Sequence, residues 1–116
     1  MQSSMITSTF ELPGYVVTRN IGIVRGITVR SRSIVGNFLG GLQTILGGNI
    51  SVYTNLCETT RTESYELMCK QARKQGANAI IGMRYDTTDL MAGVTEVLCY
   101  GTAVVVVPVP ATEGQP

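Results

Sequence analysis

Three thiols, a handful of arginines and the complete lack of histidine set the chemistry open to this chain. The thiols are Cys57, Cys69 and Cys99. With no histidine anywhere, the commonest protein metal ligand is missing. No Cys-x-x-Cys pair occurs. Cys57 and Cys69 lie twelve residues apart on one expected helix, which at 3.6 residues per turn is a rotation of roughly 120°. That phase sets Cys57 along the buried stripe and turns Cys69 away, so one subunit would not chelate with both. Cys99 shares strand parity with Val97, Gly101 and Ala103. Small buried hydrophobes are therefore the favoured reading of all three. A metal site using Cys57, Cys69 and Cys99 would have to be shared between subunits.

The basic residues point to anions. Gly36-x-x-x-Gly40-Gly41 and Gly47-Gly48 look like an anion cradle, but no Gly-Lys-Ser/Thr follows them, so no P-loop is present. Arg30 and Arg32 stand at an expected helix start, where a ring of such N-termini could hold an anion. Close helix packing and a helix stop explain those glycines more simply. Arg84 shares strand parity with Asp86, and Arg25 and Arg30 lie on or near the opposing edge. Ion pairing between subunits is the plainer reading, and ligand binding by Arg30, Arg32 and Arg84 the sharper one. Glu58, Glu63 and Glu66 read as a solvated helix face. Without histidine there is no Ser-His-Asp triad. The two lysines, Lys70 and Lys74, fall on an expected solvent face. The chain is therefore expected not to be an enzyme.

Elements must position these groups. Met5 to Phe10 is short and β-prone, and Pro13-Gly14 marks a turn. Tyr15 to Val29 is rich in Val, Ile and Thr and reads as a strand. Gly22 and Gly26 share the parity of Val24 and Thr28, which leaves one face nearly bare, the signature of a bulge or of another backbone close by. Ile34, Phe38, Leu42 and Leu46 at spacing four predict a helix, capped by Ser31 or Ser33 and ended by Gly47-Gly48. Asn49 to Thr54 reads as a connection. A second helix is predicted from a cap at Thr54 or Asn55 to about Gln75, burying Leu56, Thr60, Ser64, Leu67, Met68 and Ala72. Its acids come early and its bases late, and Gly76 follows its end. Asn78 to Tyr85 is a strand, Thr87 to Gly93 a turn region, and Val94 to Val107 a long strand, apolar on both faces over its second half. Such a strand belongs in the middle of a sheet.

The order β, β, α, α, β, β gives an α+β fold. The long helix is a crossover, so the strands it joins run parallel, and the last strand returns between them. The sheet order is first, last, middle, antiparallel between neighbours, with helix on one face. The other face also carries Val and Ile, so it is expected to be an oligomer interface.

At 116 residues with a formal net charge of +1, the chain is one small domain, expected over 1–107 with a proline-rich flexible tail over 108–116. That charge offers no argument for a nucleic-acid partner. No apolar run reaches membrane-spanning length, and no signal peptide is evident. An odd number of widely spaced cysteines fits a reducing compartment, so a cytoplasmic protein is expected.

Taken together, Arg30-Ser-Arg-Ser-Ile-Val-Gly-Asn-Phe-Leu-Gly-Gly-Leu-Gln-Thr-Ile-Leu-Gly-Gly48, Tyr53, Met68, Ala72, Gly76-Ala-Asn-Ala-Ile-Ile-Gly-Met-Arg84 and Tyr100-Gly-Thr-Ala-Val-Val-Val-Val107 resemble the YbjQ family. The resemblance runs from about Ile6 to Val107. It implies a dodecin-like β-α-β-β subunit that assembles as a homopentamer, and it brings the family's heavy-metal-binding label. The function expected is that of a homopentameric scaffold or small-ligand-binding module. The alternative is a heavy-metal-binding protein with cysteine or carboxylate ligands between subunits.

Overall fold

The computed structural model describes residues 1–31, 50–91 and 94–110, without the side chains of residues 31 and 50–56. A single 3₁₀ turn, Ser3–Met5, precedes β1 (Tyr15–Ser31), α1 (Ile50–Lys74), β2 (Ala79–Met91) and β3 (Val94–Pro108). The expected helix around Ile34 to Leu46, its candidate cap Ser33, its glycine stop and Arg32 lie outside the described residues, and Ser31, the other candidate cap, is the last residue of β1.

The three strands form one sheet in the order β1-β3-β2. Both outer strands pair antiparallel with β3, so the last strand is central and the two strands joined through α1 run parallel, as the apolar character of Val104 to Val107 predicts. The region from Met5 to Phe10 is not a full strand. It makes one parallel bridge, Ile6 with Ile80, supported by Thr7 N–H donating to Ile80 O and Gly82 N–H to Thr9 O. Pro13-Gly14 does turn the chain: Gly14 has φ +84° and Tyr15 N–H donates to Leu12 O at 3.1 Å, a proline-glycine tight turn.

Two other boundaries differ from expectation. α1 spans Ile50–Lys74, so Thr54 and Asn55 lie inside the helix and not at its start. Intrinsic propensity is too weak a term to stop a helix at β-branched residues. β2 runs on to Met91, with Thr87 opposite Val97 and Thr88 opposite Glu96. Those threonines extend the strand instead of turning it, because β-branched side chains favour extended backbone.

The end of α1 fits the sequence signal closely. Gly76 takes φ +90°, Gly76 N–H donates to Arg73 O, and Ala77 N–H donates to Ala72 O. This is the six-to-one, five-to-two pattern that closes a helix at a glycine. Asn78 then replaces a strand residue with its own side chain. Its Nδ2 donates to Val106 O at 2.9 Å and its Oδ1 accepts from Val106 N–H at 2.8 Å. The chain passes from helix to β2 without slack.

Thr60, Ser64, Met68 and Ala72, four apart, are buried against the sheet. Leu67, also expected there, is 46 % exposed. On the helix side the core is Val24, Met68, Cys69, Ala72, Ala77, Ile80, Cys99 and Ala103. Ala79 and Val104 are one residue along from Ile80 and Ala103 and face the other way. With Val106 and Leu12 they form a second cluster, flanked by Met5 and Ile81. The chain's own start therefore covers one end of the face opposite α1. Along β1 that face is exposed: Ile23 is 77 % exposed, Ile27 42 % and Val29 49 %.

Candidate functional site

Of the arginines proposed as ligand-binding, the two described, Arg30 and Arg84, take separate partners within one chain. Arg30, near the end of β1, reaches down to α1, and its Nη2 is paired with the Glu63 carboxylate. Arg84, on β2, turns to the sheet's margin. Its Nη1 donates to Ser8 O at 2.7 Å and to Met83 O at 2.8 Å. It holds the N-terminal segment in place and makes no ion pair with Asp86. Among the described residues the ion pairs are Arg30–Glu63 and a loose Glu58–Arg61 contact at 3.9 Å. The carboxylates of Glu58, Glu63 and Glu66 are thus not a paired acid site, since Glu63 answers a cation on the sheet.

Cys57 and Cys69 stand opposite to their expected orientations. Cys57 is exposed, whereas Cys69 and Cys99 are buried. Helical phase alone gave the reverse. Cys57 has the right phase but lies a turn before Thr60, the first buried residue along the described side chains of α1. Cys69 is covered because Met1 and Tyr65 pack onto the core beside it. The parity argument for Cys99 holds: it has no exposed surface, and its thiol lies 3.7 Å from Met68 Sδ.

Burial decides the chemistry of these thiols. It raises Cys99 to about 11, helped by the neighbouring Cys69 and opposed by the Tyr85 hydroxyl. It also raises Cys69, against the pull of Arg73 and a hydrogen bond with Tyr65. Tyr65 itself is pushed up to about 12, first by burial and then by Cys69. A soft metal takes thiolates and must displace their protons, which burial makes harder at these two thiols. Among the described residues no three His, Cys, Asp or Glu side chains are grouped to hold a metal ion. Within one chain, the groups described do not fit a heavy-metal centre.

Sequence reasoning missed the polar seam between helix and sheet. Ser64 Oγ is buried 2.7 Å from Thr28 Oγ1, 3.1 Å from Val97 O and 3.2 Å from Thr60 O. It also missed Gln71, whose Oε1 accepts the Arg25 backbone N–H at 2.7 Å. A polar residue inside an apolar stripe was the signal for Ser64. Gln71 gave none, since its partner is a backbone group. Among the described residues, open clefts lie on both sides of α1. One, of about 690 Å³, is bordered by Met1, Glu63, Tyr65 and Cys69. The other, of about 730 Å³, lies against β1 beside Gln71, Lys70 and Lys74.

No described helix is long and apolar enough to cross a membrane. A crystal structure of a protein of unknown function from Pediococcus pentosaceus shares the fold, with a TM-score of 0.58 at 19 % identity, covering 90 % of this chain and 99 % of that one. A UPF0145 protein from Chromobacterium violaceum is 60 % identical over 116 residues, spanning 100 % of this chain and 99 % of the relative. Another from Solibacter usitatus is 64 % identical over 103 residues, 89 % of this chain and 92 % of the relative. Residues 4–107 match the YbjQ family model, whose description reads "Putative heavy-metal-binding". The chain belongs to the YbjQ (UPF0145) family.

Proposed function

We propose that this chain is the subunit of a dodecin-like homo-oligomeric ring, of five copies as the family resemblance implies. In this reading it is a cytoplasmic scaffold or small-ligand-binding module, and it is not an enzyme. The observation that carries the proposal is the row Ile23, Ile27 and Val29 on the side of an edge strand opposite α1, at 77, 42 and 49 % exposure. Apolar surface of this kind costs about 25 cal/mol per Å² when left in water. Strand length adds to the argument. The 17 residues of β1 extend about 55 Å at 3.3 Å per residue, whereas the 25 residues of α1 extend about 37 Å at 1.5 Å per residue. α1 is too short to shelter such strands by itself, and Arg84 to Met91 of β2 are all exposed. Copies of the same chain cover such surfaces most simply, because symmetry closes the assembly.

The thiols of one chain do not support the heavy-metal reading, for the reasons of burial and protonation above. The test of the oligomer is the paired variant Ile23→Asp/Val29→Asp, followed by light scattering and circular dichroism. Loss of the assembly with helix retained supports the ring. An assembly of unchanged mass shows that this face is not the contact. If the variant fails to fold, serial dilution of the unaltered chain reports the same equilibrium.

A further inference from the structure

We propose that the cleft between the outer edge of β1 and the C-terminal half of α1 binds a small organic anion, one with a carboxylate or phosphate head and an apolar body. The cleft is an open groove of about 730 Å³, within the size range of small-ligand sites. Arg25, Lys70, Lys74 and Gln71 line its polar part, and Leu67 its apolar part.

The cations lack carboxylate partners. Lys70 and Lys74 are one helical turn apart, so their ammonium groups share a face and repel. Neither they nor Arg25 belongs to an ion pair among the described residues. The nearest acids on the helix, Glu63 and Glu66, border the neighbouring cleft, which Lys70 also touches. An anion placed between the two lysines relieves their repulsion.

Fixed donors lie beside them. Gln71 Oε1 is held by the Arg25 N–H, which leaves the Gln71 amide nitrogen with two donors to offer. The Arg25 N–H points outward from the sheet because β1 has β3 on one side alone. Antiparallel strands alternate in this respect every second residue, so the Ile27 N–H points outward as well. Main-chain and amide donors next to two ammonium groups form an anion seat. Leu67, at 46 % exposed, supplies an apolar wall on the α1 side for the rest of the ligand. The packing behind it is rigid: a Cβ on Gly26 would lie 2.6 Å from Met68 N and 2.8 Å from Leu67 Cβ, so helix and strand are already in backbone contact. Every group named belongs to one chain, so the site does not depend on the ring.

The test is isothermal titration of the full chain with octanoate, phenyl phosphate and inorganic phosphate at low salt. Saturable binding of octanoate or phenyl phosphate with Kd below about 1 mM is expected, weakening as salt rises. Lys70→Gln/Lys74→Gln should weaken it by at least about tenfold, with an unchanged circular dichroism spectrum, while Arg19→Gln leaves it intact. Absence of saturation with both organic probes overturns the proposal. So does full affinity in the double lysine variant. Equal affinity for inorganic phosphate overturns the role given to Leu67. The same titration on the Ile23→Asp/Val29→Asp variant separates this site from the ring.

Discussion

Gly26 of β1 carries the Ser64 turn of α1 directly on its backbone. A Cβ at Gly26 would collide with the Ser64 carbonyl oxygen as well as with Met68 N. The helix can approach the sheet this closely only where a strand residue has no side chain. Gly26→Ala must push α1 away along its central turns. The expected cost is about 3 kcal/mol, at the upper end of ordinary overpacking because the obstructing atoms are backbone. Urea denaturation measures it; a loss below about 0.5 kcal/mol, the level of a neutral surface change, would contradict the packing.

Ser64 and Thr28 form the polar centre of the same contact. Ser64 Oγ donates to Thr28 Oγ1 and lies within reach of Val97 O and Thr60 O as well. Ser64→Ala removes one partner and leaves the Thr28 hydroxyl buried, at a cost of about 1–3 kcal/mol. Thr28→Val combined with Ser64→Ala should cost less than the sum of the two single changes, since no buried polar group is then left unpaired. A double-mutant cycle on denaturation midpoints checks this.

The thiols should divide by exposure. In the native protein Cys57 should react promptly with a disulfide reagent near pH 8, while Cys69 and Cys99 should react only after unfolding. The folded chain holds the Cys99 proton from the ordinary 9.0 up to about 11, whereas the unfolded chain releases it near 9.0. Between those values the native state binds more protons, so stability falls as pH rises. Tyr65, raised from 10.0 to about 12, extends the same loss to higher pH. Melting temperature should be flat below pH 9 in this respect and decline above it, and Cys99→Ala should flatten the first part of that decline.

Arg84 ties the chain's start to the sheet through Ser8. Arg84→Ala should loosen residues 6–9 and the Leu12 contact beneath them, at a stability cost of about 1 kcal/mol. Hydrogen exchange is the readout. The amides of Thr7 and Gly82, which bond across this junction, should lose protection while those of α1 keep it.

Local rules carried much of this molecule into view. Gly76 could be placed because a helix ending in a left-handed residue needs glycine. The central position of β3 followed from Val104 to Val107, whose apolar side chains face both ways. The bare parity of Gly22 and Gly26 foretold both events found there: a register shift beside Gly22 and the helix on Gly26. What escaped depended on distant cover. Cys69 is buried by the chain's first residue, and Arg30 and Glu63 meet across 33 positions. Gln71 answers a backbone amide that no side-chain pattern can reveal. The site residues were the least legible for that reason, since helical phase gives a direction and does not say what lies in that direction.

Light scattering on the unaltered full chain at micromolar concentration tests the central claim most directly, that the face of this sheet opposite α1 is covered by further copies of the chain. The account predicts a single species with about five times the mass of the 12.5 kDa chain. A stable particle of one chain's mass, with Ile23, Ile27 and Val29 left in water, would contradict it.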